Sequence, residues 1–166
     1  MRPLRAIGIL LLGVFTALLI YPALHEGGHS IVALLVGGKV REYVLLPLPY
    51  ISCDVTNIST QGMMLIGVGG MVFPLLFTWI INSKNFWVWL LGLYLNTICF
   101  LSFAISLYGC IMFSMQKPLQ NEDITQVLEL QPASVWIWSI LFASLLIGVM
   151  LQVAKTKPIR RCYEFI

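Results

Sequence analysis

The sequence is constrained first by where it carries no charge. Residues 6–24, 62–81, 86–113 and 133–153 contain no Asp, Glu, Lys or Arg. At 1.5 Å per helical residue each stretch reaches about 30 Å, the thickness of a bilayer's hydrocarbon core. A helix satisfies its backbone hydrogen bonds internally, as any segment in lipid must. The expected fold is therefore an all-α membrane protein of about four transmembrane helices, a multi-pass integral protein with membrane lipid around it. Composition agrees: 59% of residues are hydrophobic and 10% charged, where a soluble domain carries about 25% charged. Tyr21, Trp79, Trp87, Trp89, Tyr108, Trp136 and Trp138 fall near the ends of these stretches, as an interfacial aromatic belt does.

"MRPLR" followed by an apolar run also has the form of a cleaved secretory signal. Apolar sequence resumes at "IVALLVGG" with no A-x-A site between, so the segment is expected to stay as the first span. The four cysteines, Cys53, Cys99, Cys110 and Cys162, form no C-x-x-C pair, and Cys99 and Cys110 read as small hydrophobes inside a helix. The net charge of +3 is made by Arg2 and Arg5 at one end and Lys155, Lys157, Arg160 and Arg161 at the other. Such a pattern anchors spans at a membrane surface, and no nucleic-acid partner is expected.

Residues 1–166 read as one domain without repeats. Gly37-Gly38 should end the first helix, which continues past its span through 25–36. Val40 to Leu45 is β-prone, Ile51 to Thr56 alternates apolar and polar residues, and "PLP" at 47–49 breaks them. A short β-hairpin between the first two spans follows. In "GVGGMVFP" the small residues Gly67, Gly69 and Gly70 suit close helix packing. "NSKN" at 82–85 reads as a turn, Pro118 as a helix break, Asn121 as a cap, and Pro132 as the lead into the last span.

Against this apolar background the chain sets "HEGGHS" at 25–30, placing its only two histidines four residues apart around a glutamate. Two histidines scattered over 166 positions fall four apart about once in eighty sequences, and a following Glu makes that about thirtyfold rarer. Positions i and i+4 share a helix face, so His25 and His29 can aim two imidazoles at one point. Neutral imidazoles bind a divalent ion such as zinc, which lowers the pKa of a water towards 7 while a nearby carboxylate takes the proton. Glu26 stands where that base is needed, completing the H-E-x-x-H pattern of zinc hydrolases. The competing reading is a buried pair satisfied by backbone, but ionisable groups at membrane depth are costly and mark function.

A catalytic zinc takes about three protein ligands, and no third histidine exists. The candidates are Asp54, Asp123, Glu42, Glu122, Glu129 or a cysteine. After spans two and three the chain returns to the motif's face near 114–123, which favours Asp123. Asp54 is on that face too, but its alternation points to the solvent side of a strand. Asn96, an amide within span three, needs a partner in the bundle or a polar cavity and is a candidate for positioning substrate.

"ALHEGGHSIVALLVGGKV" resembles the first motif of the site-2 protease family of intramembrane zinc metallopeptidases (peptidase M50), above all its small M50B-like members. "VGGKVREYVLLPLPY" is similar to the family's β segment, "LIGVGGMVFPLL" to its Gly/Pro span, and "NEDITQVLELQPASVWIW" to its acidic segment before the last helix. The resemblance implies one zinc per chain held by His25, His29 and Asp123, with Glu26 as catalytic base. It also implies a transmembrane protein or peptide as substrate. The chain departs from the family where Asp123 is followed by Ile124 rather than Gly.

Pro22 should kink the first helix just before the motif, and with Gly27 and Gly28 leave room for water and an unwound peptide. Counting Lys and Arg puts the termini in the cytoplasm; the resemblance implies the opposite. A non-catalytic scaffold or chaperone of the same fold, and a metal transporter, are the alternative readings. Glu26 speaks against the first, and the near absence of polar residues in spans two and four against the second.

Overall fold

The computed structural model describes residues 2–81, 85–120, 122–158 and 165. Most of the expected turn at 82–85, the cap at Asn121, and Arg160, Arg161 and Cys162 lie outside the described residues. Helix α1 (Arg2–Phe15) passes through a π-helical turn (Thr16–Ile20) into α2 (Tyr21–Leu35). Pro22 explains the turn: it has no N–H for the Leu18 carbonyl and its ring crowds that carbonyl. The chain widens instead, with Tyr21 N–H reaching back to the Thr16 carbonyl and the Thr16 hydroxyl donating to Leu12 at 2.7 Å. The disruption expected at Pro22 is thus a π turn. Through that π turn the apolar helix runs over Pro3–Leu35, so the motif at 25–30 lies on the same helix as residues 6–24.

Gly37-Gly38 does end α2. Gly37 has φ +91°, Gly38 N–H bonds the Ala33 carbonyl at 2.8 Å, and Gly37 N–H bonds Leu34 at 3.2 Å. This is a Schellman close, in which the left-handed residue favours glycine. Strands β1 (Lys39–Val44) and β2 (Tyr50–Asp54) then form the expected antiparallel hairpin, with Tyr43 opposite Ile51 and a bulge between Val40 and Glu42.

Helix α3 (Thr60–Ile80) starts at Ser59, whose hydroxyl accepts from Gly62 N–H at 3.2 Å. Helix α4 (Phe86–Ser114) starts at Asn85, which accepts from Trp87 N–H at 2.9 Å. The short α5 (Asp123–Leu130) and a 3₁₀ turn (Pro132–Ser134) lead into α6 (Val135–Lys155). Pro3–Leu35, Thr60–Ile80, Phe86–Ser114 and Pro132–Lys155 are long and apolar enough to cross a membrane. The core lies where α3, α4, α5 and α6 meet, around Leu75, Phe103, Leu128 and Phe142. Helix α5 buries Ile124, Val127 and Leu128 there. It lies close because α3 and α4 offer it glycines: a Cβ on Gly67 would sit 2.6 Å from the Val127 side chain, and one on Gly109 2.9 Å from Ile124. That packing sets where Asp123, the first residue of α5, must be.

Candidate metal centre

Two elements supply the side chains of the centre: α2 carries His25 and His29, and α5 carries Asp123. Helices α2 and α3 cross in contact at Gly28 and Gly69, where a Cβ on Gly28 would run into the Gly69 carbonyl and the Phe73 side chain. One residue on, the buried His29 ring occupies the space that Gly70 leaves: a Cβ there would lie 2.6 Å from Cε1 and 2.7 Å from Cδ2. His29 Nδ1 is 2.6 Å from the Ile66 carbonyl. A carbonyl only accepts, so Nδ1 carries the proton and Nε2 is left with its lone pair.

That lone pair meets two others. His29 Nε2 lies 3.3 Å from His25 Nε2, and Asp123 Oδ2 lies 3.1 Å from His25 Nε2 and 3.3 Å from His29 Nε2. With the His29 proton on Nδ1, the contact between Nε2 and Oδ2 joins two acceptors, an arrangement that needs a positive charge among them. Zinc bound tetrahedrally at about 2.0–2.2 Å holds neighbouring ligand atoms about 3.3–3.6 Å apart, close to the observed edges. The residues present therefore fit a metal ion, and His25, His29 and Asp123 could hold one.

His25 is braced from behind. Its ring stacks on Tyr21 (centroids 5.7 Å apart) and meets His29 edge-on at 4.8 Å, while its Nδ1 is buried without a hydrogen-bond partner among the described residues. Tyr21, expected in an interfacial belt, instead lies within the continuous helix. Glu26, His29 and Asp123 line a cavity of about 550 Å³ whose other walls include Ile51 and Cys53 of β2 and Gln126 and Glu129 of α5. Tyr43 of β1 closes over the same helix, its hydroxyl donating to the Ala23 carbonyl at 2.8 Å. Burial and the nearby Glu26 charge raise its pKa.

The other candidate ligands go elsewhere. Asp54 pairs with Arg41 at 2.8 Å and accepts from Thr56, so it belongs to the hairpin. Glu42 bonds the Tyr50 hydroxyl. Glu129 and Cys53 stand in the cavity wall, Cys99 and Cys110 are buried in the core, and Glu122 precedes Asp123 outside the triangle. Asn96 does not reach the centre. It lies 13 residues, about 20 Å of helix, before Gly109, where α5 packs; it donates to the Gly92 carbonyl at 2.9 Å and lines a different cavity. Sequence reasoning missed Gly70, Tyr21 and the Ile66 carbonyl as supports of the histidines; the visible signal was "GVGG", read as helix packing alone. The chain matches no family model, no curated protein and no solved structure.

Proposed function

We propose that this protein is a zinc-dependent intramembrane endopeptidase of the site-2 protease type, an integral multi-pass protein that hydrolyses a peptide bond in or near a transmembrane segment of another protein. The observation that carries the reading is the triangle of His25 Nε2, His29 Nε2 and Asp123 Oδ2 with Glu26 in the same cavity. Two imidazoles and one carboxylate are a donor set that zinc accepts, with a fourth position left for water. Zinc held there would supply the Lewis acidity that polarises a carbonyl and acidifies a water.

The chain's own residues do the rest. Glu26 takes the proton of the attacking water and passes it to the leaving amine. The Ile66 carbonyl holds His29 in the tautomer that binds metal. The cavity between β2 and α5 receives the peptide and admits water. Gly70 lies ten residues, about 15 Å of helix, inside α3, which supports chemistry at membrane depth. Exposed Leu10 and Leu11 on α1, Leu18 in the π turn, and Ile137, Ile140 and Ile147 on α6 suit a hydrocarbon surround. Glu26 favours hydrolysis over a scaffold, which has no use for a base beside the ligands.

The test is one preparation and one variant. Purified protein carries about one zinc per chain, and Glu26→Gln keeps that zinc while abolishing the cleavage seen when membrane proteomes with and without active enzyme are compared. Cleavage at an unaltered rate in the zinc-loaded variant refutes the hydrolase reading.

A further inference from the structure

The bundle has a second polar cavity at the end away from the metal centre. Its volume is about 250 Å³, and Thr78, Trp79, Asn96, Gln152 and Lys155 line it. The end of α3, the end of α6 and the first half of α4 meet there. Asn96 is 7% exposed; its amide nitrogen donates to Gly92, which leaves Oδ1 turned the other way. That oxygen is buried and has no hydrogen-bond partner among the described residues. A buried amide oxygen without a donor is costly, and one water, at about 30 Å³, would fill little of the space. Gln152 gives its oxygen to Trp79 Nε1 at 2.8 Å, so its amide nitrogen remains a donor. Lys155, in the last turn of α6, adds a cation.

The cavity thus offers an acceptor at Asn96 and donors with positive charge at Gln152 and Lys155. We propose that it is a phospholipid headgroup site, selective for headgroups that carry a hydroxyl or N–H donor beyond the phosphate, such as phosphatidylglycerol and phosphatidylethanolamine. The phosphate takes Lys155 and Gln152, and the terminal donor takes Asn96 Oδ1. Trp79, exposed at the end of α3, is of the residue type that collects where headgroups meet acyl chains. The inference rests on the membrane part of the reading above and not on the hydrolase part.

Native mass spectrometry of the full chain in detergent tests it, with phosphatidylglycerol, phosphatidylethanolamine, phosphatidylcholine and phosphatidic acid added in turn. The choline headgroup has no N–H, and phosphatidic acid has no group beyond its phosphate. The first two lipids should be retained over the last two by about fivefold to tenfold, the effect of one buried hydrogen bond. Asn96→Leu should erase that preference, and Lys155→Gln should weaken all four alike. Equal retention of the four lipids by the wild-type chain overturns the proposal, as does an Asn96→Leu chain that keeps the preference. Free glycerol phosphate or phosphoethanolamine should not displace bound lipid; displacement at matched concentration would overturn the lipid assignment. Zinc content and extraction only by detergent, followed in the same samples, show separately whether the metal and membrane readings stand.

Discussion

Gly70→Ala tests whether helix packing and metal binding are one device. The added Cβ would lie 2.6 Å from His29 Cε1 and 2.7 Å from Cδ2, where ordinary contact begins at 3.4 Å. Nε2, the metal-facing atom, is struck first of all, so the ring must retreat by more than about 0.8 Å, and metal–ligand distances tolerate only about 0.2 Å. Moving the backbone instead would break the contact between Gly28 and Gly69. Overpacking of this kind costs about 1–3 kcal/mol, which leaves most of the fold standing, while the centre loses one of three ligands. Zinc affinity should fall by more than the 10–100-fold typical of a lost supporting contact. The measurement is zinc per chain by mass spectrometry across a chelator series, with melting in detergent alongside. Gly148→Ala is the control, because nothing lies within 4 Å of a Cβ there, and a helical Gly→Ala change stabilises by up to about 1 kcal/mol. A Gly70→Ala chain that holds zinc as tightly as wild type refutes the reasoning, since His29 would then not need the space.

Two further outcomes separate the centre from its surroundings. Asp123→Ala should weaken zinc binding by at least about 100-fold, while Asp54→Ala should leave the zinc content unchanged; the opposite result would move the third ligand to the hairpin. Asp54 itself is held well below the usual carboxylate range by Arg41 and Thr56. Its support for the hairpin is therefore fully present above the unfolded value of about 3.9 and is lost only as pH falls through the depressed folded value. Hydrogen exchange of the β1 and β2 amides, corrected for intrinsic rates, should be flat from about pH 5 to 8 and rise only in strong acid, with molar salt blunting the effect because the pair is exposed. Loss of protection near neutrality would mean that another group closes the hairpin.

The sequence made legible what depends on one dimension. The four apolar helices follow from long intervals without charge, and the pairing of His25 with His29 follows from four residues on one turn of helix. The hairpin was readable from alternation; β1 begins one residue earlier than expected because Lys39 pairs with Asp54 across the open end, and β2 one residue earlier because Tyr50 pairs with Val44 beside the turn. Contacts between elements were another matter. "GVGG" announces that something approaches closely, but nothing in it says that Gly70 receives an imidazole from 41 residues upstream. The Ile66 carbonyl has no signature at all, since every residue carries one. At Pro22 the chemistry was clear and the response was not: a missing N–H can be met by a kink or by a π turn, and the neighbouring Thr16 hydroxyl bonding back to Leu12 accompanies the second.

One rule of topology, the number of helices crossed, places both Asp123 and Asn96. Counting spans brought Asp123 back to the motif's face, because the chain crosses two helices between them. The same count puts the start of α4 at the opposite face, and Asn96 only ten residues from it, about 15 Å along a helix about 43 Å long. An amide at that depth belongs to the far end of the bundle, where it lines the second cavity with Gln152 and Lys155. Polar exceptions in an apolar chain are thus sorted first by the parity of the crossings that precede them, and only then by the chemistry each can offer. By that order the two cavities are separate places, one lined by Glu26, His29 and Asp123, the other by Asn96, Gln152 and Lys155.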